Sequence, residues 1–224
     1  ADLALRLERT HVFAQLVALR GVLVLIGVAG AAVAGLVAWR VPQARQFGVV
    51  ICLALLSVAA LNVGVLVARG LGGSHGANPA AGDLTVFAWN TLGDRPGAPL
   101  IAEVALAHGV DVLALPETTQ AAALEVARLM EDAGRPVQVF SRFTDDSNPA
   151  RSTSLLVSAA LGEYRLDETV GSTPRAPSLV ARPANGAGPT FVAAHPVPPV
   201  PSRMGDWISG VEWLAARCRE GEVI

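Results

Sequence analysis

Two long apolar segments dominate the first third of the chain. Residues 21–39 form an uncharged run of 19 residues, and residues 47–68 form a second run of 22. At about 1.5 Å per residue, helices of these lengths are about 28–33 Å long, which matches the roughly 30 Å hydrocarbon core of a bilayer. Arginines flank both runs, at positions 20, 40, 45 and 69. The pattern predicts a membrane region over residues 1–69 with two transmembrane helices, at about 21–39 and 47–68.

The alternative is a pair of buried helices in a soluble protein, which is less favoured because two such runs rarely occur in one small soluble fold. The loop between the runs, residues 40–46, contains two arginines. Such loops usually face the cytoplasm, so the downstream domain is predicted to be extracytoplasmic on an integral cell-membrane protein. Arg6, Arg9 and Arg20 favour the opposite orientation. A further span before Ala1 would reconcile the two signals.

The hydrophobic pattern changes after residue 69. Residues 70–82, rich in glycine, alanine and proline, are predicted to form a flexible linker. Residues 83–224 then alternate between strand-like and helix-like segments, which is typical of a layered α/β domain. Strands are predicted at residues 84–89, 110–115, 137–141, 154–158, 179–181 and 190–194, and helices at 99–108, 119–133 and 207–218. Residues 222–224 begin another extended segment.

Three predicted strands end next to side chains that can do chemistry: Asn90, Glu117 and His195. Each also has a structural explanation, since Asn is a common turn residue, Glu117 can lie at a helix start, and His195 can simply end a strand. Ligands in α/β folds gather at strand ends, so the repetition favours a site. Strand ends converge when their strands share a sheet, and we expect these three strands to share one.

Composition narrows the candidate functions. The formal net charge of −2 argues against a broad basic surface for nucleic acid, although a local basic groove remains open. Cys52 lies within an apolar run and Cys218 lies near the end of the chain, so a disulfide between them is not expected. No cysteine or histidine spacing typical of zinc binding occurs.

Three stretches resemble a known family. WNTLGD at 89–94, HGVDVLALPETT at 108–119 and FVAAHPVPPVPSRMGDW at 191–207 resemble the endonuclease/exonuclease/phosphatase superfamily, in particular its membrane-anchored bacterial members. The resemblance covers residues 83–224 and implies a partial DNase I-like α/β sandwich after the transmembrane helices. Pro116 stands where the family usually has Gln, and the Gly that precedes the family's strand at 152–158 is absent.

The resemblance also implies roles for single residues. Glu117 would bind a divalent cation, Mg²⁺ or else Mn²⁺ or Ca²⁺, while Asn90 and His195 would be catalytic. No other cofactor-binding residue is implied. The family's Gly-Asp-x-Asn strand end and terminal Asp-His pair do not occur up to Ile224. We therefore expect the parent sequence to continue beyond Ile224 with these motifs.

The function implied by the resemblance is a membrane-anchored, metal-dependent phosphodiesterase or phosphatase. Its candidate partners are the lipid bilayer and a phosphodiester substrate, either a phospholipid or a nucleic acid. The alternative is a non-catalytic accessory subunit of a bacterial membrane complex, which would dock on partner proteins through its apolar helices. Pro116 and the two missing motifs favour this second hypothesis.

Overall fold

The computed structural model describes residues 9–68, 70, 83–145 and 148–219. The chain divides into two compact units, residues 1–77 and 78–224. Residues 71–82 of the linker predicted at 70–82, and the extended segment predicted at 222–224, lie outside the described residues.

The described residues of the first unit form three helices: α1 (His11–Ala18), α2 (Arg20–Arg40) and α3 (Arg45–Ala68), with a 3₁₀ turn at Pro42–Ala44 before α3. By length and composition, α2 and α3 are long and apolar enough to cross a membrane, as the hydrophobic runs predicted. Most of their large apolar side chains are exposed. Soluble proteins seldom leave so much apolar surface uncovered.

Small residues allow α2 and α3 to approach each other closely. A Cβ added to Gly48 would lie 2.7 Å from the Cβ of Ala38 and 2.9 Å from the carbonyl oxygen of Ala34. A Cβ at Gly27 would lie 3.3 Å from the Cβ of Ala59. Backbones that pack this closely are typical of helix pairs in lipid, where van der Waals packing rather than the hydrophobic effect holds helices together.

The second unit is a mixed α/β domain. Its strands are β1 (Val86–Ala88), β2 (Val112–Pro116), β3 (Val137–Phe143), β4 (Ser152–Ser158), β5 (Tyr164–Leu166), β6 (Leu179–Pro183) and β7 (Phe191–Ala193). Its helices are α4 (Gly97–Ala107), α5 (Gln120–Asp132) and α6 (Met204–Arg219). The strands form a four-stranded sheet in the order β1-β2-β4-β3 and a three-stranded sheet in the order β5-β6-β7. Among the described strands only β1 and β2 pair in parallel; the other pairs are antiparallel.

Two hydrophobic clusters define the layers. Alternate residues of β2 point to opposite faces of the sheet, so Leu113 and Leu115 pack against α4 and α5 while Val112 faces the three-stranded sheet. Phe191 of β7 fills the second cluster, between the two sheets. The domain is therefore a helix layer on a two-sheet sandwich. Because β4 is central and covered on both faces, every one of its residues is buried.

The helix boundaries follow from local sequence signals. In α5, Thr119 is the N-cap and accepts a hydrogen bond from the Ala122 amide at 3.2 Å. Ala123, Val126 and Met130 form its buried stripe, spaced at three and four residues. Gly134 follows the helix with φ of +78°, a conformation that glycine adopts without steric cost.

The structure confirms the mixed α/β domain and the two long apolar helices, and it differs from the sequence predictions in detail. Strand β5 was not predicted, because Arg165 interrupts its apolar pattern. Strand β1 is shorter than residues 84–89, and β4 begins two residues before the predicted 154. Helix α6 begins at Met204 rather than at 207, since a 3₁₀ turn at Pro201–Arg203 leads directly into it.

Candidate functional site

The three sequence-predicted site residues lie together. Asn90 Nδ2 donates a hydrogen bond of 2.8 Å to Oε1 of Glu117. His195 Nε2 lies 3.9 Å from the same oxygen, which is too far for a hydrogen bond but close enough for electrostatic interaction. Glu117 thus stands between an amide and an imidazole.

The way these residues meet corrects one expectation. Strands β1 and β2, which precede Asn90 and Glu117, belong to the four-stranded sheet, whereas β7, which precedes His195, belongs to the three-stranded sheet. The expectation of one shared sheet is wrong. The strand ends converge because the two sheets are stacked, so that the end of β7 lies beside the ends of β1 and β2.

The backbone of Glu117 is held in an unusual conformation. Its φ is +60°, in the left-handed region that non-glycine residues rarely occupy. The Glu117 amide donates to the carbonyl of Ser152 at 2.9 Å, and its own carbonyl accepts from the Thr91 hydroxyl at 2.8 Å. Both backbone groups are therefore used, and they fix the direction in which the carboxylate leaves the strand end.

The loop after β1 is strained and rigidly held as well. Leu92 and Asp94 have φ of +51° and +62°. The Asp94 carboxylate accepts from the backbone amide of Thr119 at 3.0 Å and from its hydroxyl at 2.7 Å, which joins this loop to the start of α5. Four non-glycine residues have positive φ in the described chain, and three of them are Leu92, Asp94 and Glu117. Such strain typically concentrates at functional sites.

His195 is 9% exposed and has polar partners on two sides. Its Nδ1 lies 2.8 Å from the Thr153 hydroxyl on β4, and its backbone amide donates to the Ser178 hydroxyl at 2.7 Å. Burial lowers the pKa of the imidazole, because water no longer solvates the charged form. The Glu117 carboxylate and a hydrogen bond to the Ser152 backbone oppose this shift without overcoming it. His195 is thus a largely neutral imidazole at neutral pH.

The carboxylate of Glu117 is the group at this site that can bind a cation. Its side chain is 18% exposed, and its second oxygen has no hydrogen-bond partner in the described part of the chain. Asp94, the nearest acid along the loop, is already bound to Thr119. In the described residues no three His, Cys, Asp or Glu side chains are grouped closely enough to hold a metal. A Mg²⁺ ion at this place would have one protein carboxylate as its ligand, with water and phosphate oxygens completing its shell.

A cavity of about 350 Å³ opens beside the site, within the size range of ligand pockets. Ser152, whose carbonyl binds the Glu117 amide, and Thr119, which binds Asp94, both line it. Phe143 supplies an apolar wall that is 45% exposed. The cavity thus adjoins residues that hold the backbone of the site, and its wall contains both polar and apolar side chains.

Sequence reasoning missed the hydroxyl groups that support the site. Thr91, Thr153 and Ser178 are buried and hydrogen-bonded to the backbone or the imidazole described above. A signal was present at Ser152, Thr153 and Ser154, where three hydroxyl residues precede the apolar run of residues 155–157. A buried hydroxyl needs a partner, so such a run indicates a polar network near that strand end.

Comparison of the chain with models of protein families, with curated proteins and with solved structures gives no match in any of the three. The resemblance to the endonuclease/exonuclease/phosphatase superfamily therefore rests on the three motifs and on their order along the chain.

Proposed function

We propose that this protein is a membrane-tethered, metal-dependent phosphoester hydrolase whose active site lies at Asn90, Glu117 and His195, on a domain of the DNase I-like type. The observation that carries the proposal is the convergence of these residues. They follow strand ends up to 105 positions apart along the chain (195 minus 90). Asn90 Nδ2 and His195 Nε2 nevertheless lie 2.8 Å and 3.9 Å from the same oxygen, Oε1 of Glu117.

Glu117 holds the cation. The backbone of Glu117 is strained and fully hydrogen-bonded, so its carboxylate has few conformations to lose when a cation binds. The free-energy cost of ordering this side chain is therefore small. A bound Mg²⁺ would supply charge neutralisation to the phosphoryl oxygens. Asn90 keeps the carboxylate oriented through its 2.8 Å hydrogen bond. The side-chain oxygen of Asn90, Oδ1, accepts from the Leu92 backbone amide at 2.8 Å, which fixes the plane of the Asn90 side-chain amide.

His195 acts on the phosphate or the leaving group. A neutral imidazole beside a carboxylate can donate a hydrogen bond to a phosphoryl oxygen or accept a proton as a general base. Thr153 holds the ring through Nδ1, leaving Nε2 directed toward the Glu117 side of the site.

Membrane attachment comes from α2 and α3. Their exposed apolar surface and their close small-residue packing favour a transmembrane hairpin over buried helices of a soluble protein. Tethering to a bilayer favours a phospholipid as the substrate over a nucleic acid, and the net charge of −2 points the same way.

The test is a hydrolysis assay on the purified full-length protein in detergent. Bis-(para-nitrophenyl) phosphate and mixed micelles of phospholipid serve as substrates, with Mg²⁺, Mn²⁺, Ca²⁺ or a chelator. We expect divalent-cation-dependent release of product that disappears in Glu117→Gln. In His195→Gln the rate should fall by about 100-fold or more, the usual contribution of a general acid or base.

Glu131→Gln is the matched control, because Glu131 is an exposed carboxylate on α5 with no hydrogen bond to the site residues. It should hydrolyse at the wild-type rate. Folded wild-type protein that cleaves neither substrate with any of the three cations would contradict the proposal. That result would favour the accessory-subunit hypothesis, in which the domain is not catalytic and the three site residues take part in no reaction.

A further inference from the structure

A second cavity, of about 170 Å³, lies in the same domain and is lined by three arginines. Arg151, Arg175 and Arg203 contribute its charged wall, together with Asn148, Ala150, Ala176 and Val197. No acidic residue is among the described residues that line it. In a chain with a formal net charge of −2, three guanidinium groups around one cavity form a local positive site.

Two of the three arginines are partly neutralised. Arg151 pairs with Asp145 at 3.5 Å, and Arg175 pairs with Asp206 at 2.5 Å. Arg203 has no acidic partner in the described part of the chain, and its side chain is exposed. The described groups therefore sum to one net positive charge, three arginines minus two aspartates. Exposed ion pairs of this kind are weak, so an incoming anion can compete for both paired arginines.

The cavity wall is built with the same strain as the candidate active site. Arg175 is the fourth non-glycine residue with positive φ, at +64°. Its carbonyl accepts from the Thr144 hydroxyl at 2.9 Å, and the Thr173 hydroxyl donates to the next carbonyl, that of Ala176, at 2.6 Å. Thr173 is also hydrogen-bonded to Ser178 at 2.7 Å. The loop is thus held in a conformation that directs Arg175 to the cavity.

The cavity is next to the candidate active site. Arg151 is two residues before Thr153, whose hydroxyl contacts His195, and Val197 is two residues after His195. Because neighbouring Cα atoms are 3.8 Å apart, each of these separations is at most about 7 Å. The Ser178 hydroxyl accepts from the His195 amide and is also hydrogen-bonded to Thr173, in the loop that carries Arg175 (the arginine loop). The cavity wall and the candidate active site are therefore adjacent at two points of the chain.

We infer that this arginine cavity binds a phosphate group of the substrate that is not the one cleaved. The inference rests on the proposed function and narrows it to phosphoesters that carry a second phosphate. Planar guanidinium groups bind phosphate through paired, charge-assisted hydrogen bonds, which makes arginine the suitable residue for such a subsite. The second phosphate comes either from a lipid headgroup or from a soluble compound.

The test measures binding and not turnover. Inorganic phosphate is titrated into the full-length protein in detergent by calorimetry, and short-chain phosphatidic acid in mixed micelles forms a second arm. We expect Arg203→Gln to weaken phosphate binding by about tenfold or more, the effect of losing one charge-assisted hydrogen bond. Arg203→Lys should retain part of the affinity. Arg203 is the chosen position because its replacement breaks no ion pair of the described chain.

Arg165→Gln is the control, since Arg165 is an exposed arginine that pairs with Glu163 and does not line the cavity. It should bind phosphate as the wild type does. Equal weakening in Arg165→Gln, or unchanged binding in Arg203→Gln, would overturn the inference. Tighter binding of phosphatidic acid than of inorganic phosphate identifies a lipid source, and the reverse identifies a soluble one.

These outcomes separate the two proposals. If the protein binds phosphate through Arg203 but hydrolyses neither substrate, the phosphate-binding cavity is supported and the hydrolase proposal is contradicted. If the protein hydrolyses phosphodiesters but its phosphate binding does not depend on Arg203, the hydrolase proposal is supported and the phosphate-binding cavity is contradicted.

Discussion

Asn90 holds Glu117 by a hydrogen bond of 2.8 Å from its amide nitrogen, while its amide oxygen accepts from the Leu92 backbone. The asparagine is thus fixed at both ends and orients the carboxylate. An aspartate at position 90 would retain the bond from Leu92 but could not donate to Glu117, and at neutral pH it would place a second negative charge beside it.

The first prediction follows from this pair. Asn90→Asp should lower the free energy of unfolding by about 1 kcal/mol at pH 7.5, and by less at pH 4, where protonation relieves the repulsion. Urea unfolding at the two pH values measures it. Asn90→Ala is the control, because its loss carries no charge and should be nearly independent of pH. A loss in Asn90→Asp that is the same at both pH values would contradict the assigned contact.

The left-handed backbone at Glu117 predicts an inverted order of stability. Glycine adopts φ of +60° freely, so Glu117→Gly should be more stable than Glu117→Ala by about 1 kcal/mol. At Glu131, within α5, the order should reverse, because glycine is about 1 kcal/mol less favourable than alanine inside a helix. Chemical unfolding of the four variants tests this. The same order at both positions would show that Glu117 is not strained.

A third prediction concerns pH and His195. Its folded pKa lies below the ordinary histidine value of about 6.5, so the unfolded chain binds the proton first as the pH falls. Its contribution to stability is complete above pH 6.5 and is lost as the pH falls from there to the folded pKa. In His195→Gln the free energy of unfolding should vary less with pH across this window. Parallel curves for the two proteins would contradict the burial of a neutral imidazole.

The helix pair of the first unit gives a matched comparison. Gly48→Val should separate α2 from α3, because its Cβ would clash with Ala38, whereas Gly64→Val places its Cβ where no atom lies within 4 Å. Gly35→Cys provides the readout, since a Cβ there lies 4.0 Å from Sγ of Cys52. Disulfide yield should be high in the Gly35→Cys background and in its Gly64→Val variant. It should fall in the Gly48→Val variant, and equal yields would exclude this packing.

The membrane orientation is tested at Ser74. With Cys52 and Cys218 replaced by alanine, Ser74→Cys should react with a membrane-impermeant thiol reagent in intact cells if the domain is extracytoplasmic. A cysteine at position 43, in the loop between the two helices, should then react only after lysis. The reverse labelling pattern would place the domain in the cytoplasm.

Local patterns predicted the helices and the α/β alternation well. In α5 the capping Thr119, the buried stripe and the closing Gly134 all lie near one another in sequence. The length and composition of α2 and α3 were equally direct. Strand β5 was missed because three residues with one arginine form too short a pattern, and its pairing with β6 is a long-range contact.

The three candidate site residues were chosen from the sequence, but the way in which the fold brings them together was not predicted. Asn90, Glu117 and His195 could be singled out because each follows an apolar strand. The stacking of two sheets that brings His195 to Glu117 depends on side-chain packing across the sandwich, which no local pattern records. The arginine cavity was invisible for the same reason, since Arg151, Arg175 and Arg203 lie in three separate loops.

Ser178 has a consequence for how this domain can vary. The Thr173 hydroxyl proton is directed to Ala176, so Ser178 must donate to Thr173, while its oxygen accepts from the His195 amide. One hydroxyl therefore serves the histidine and the arginine loop at the same time. Substitutions on the two sides should be non-additive, with a coupling energy of about 0.5–3 kcal/mol in a double-mutant cycle. A substitution in one of these two loops should therefore change which substitutions the other loop tolerates, and we expect the two loops to vary in sequence together.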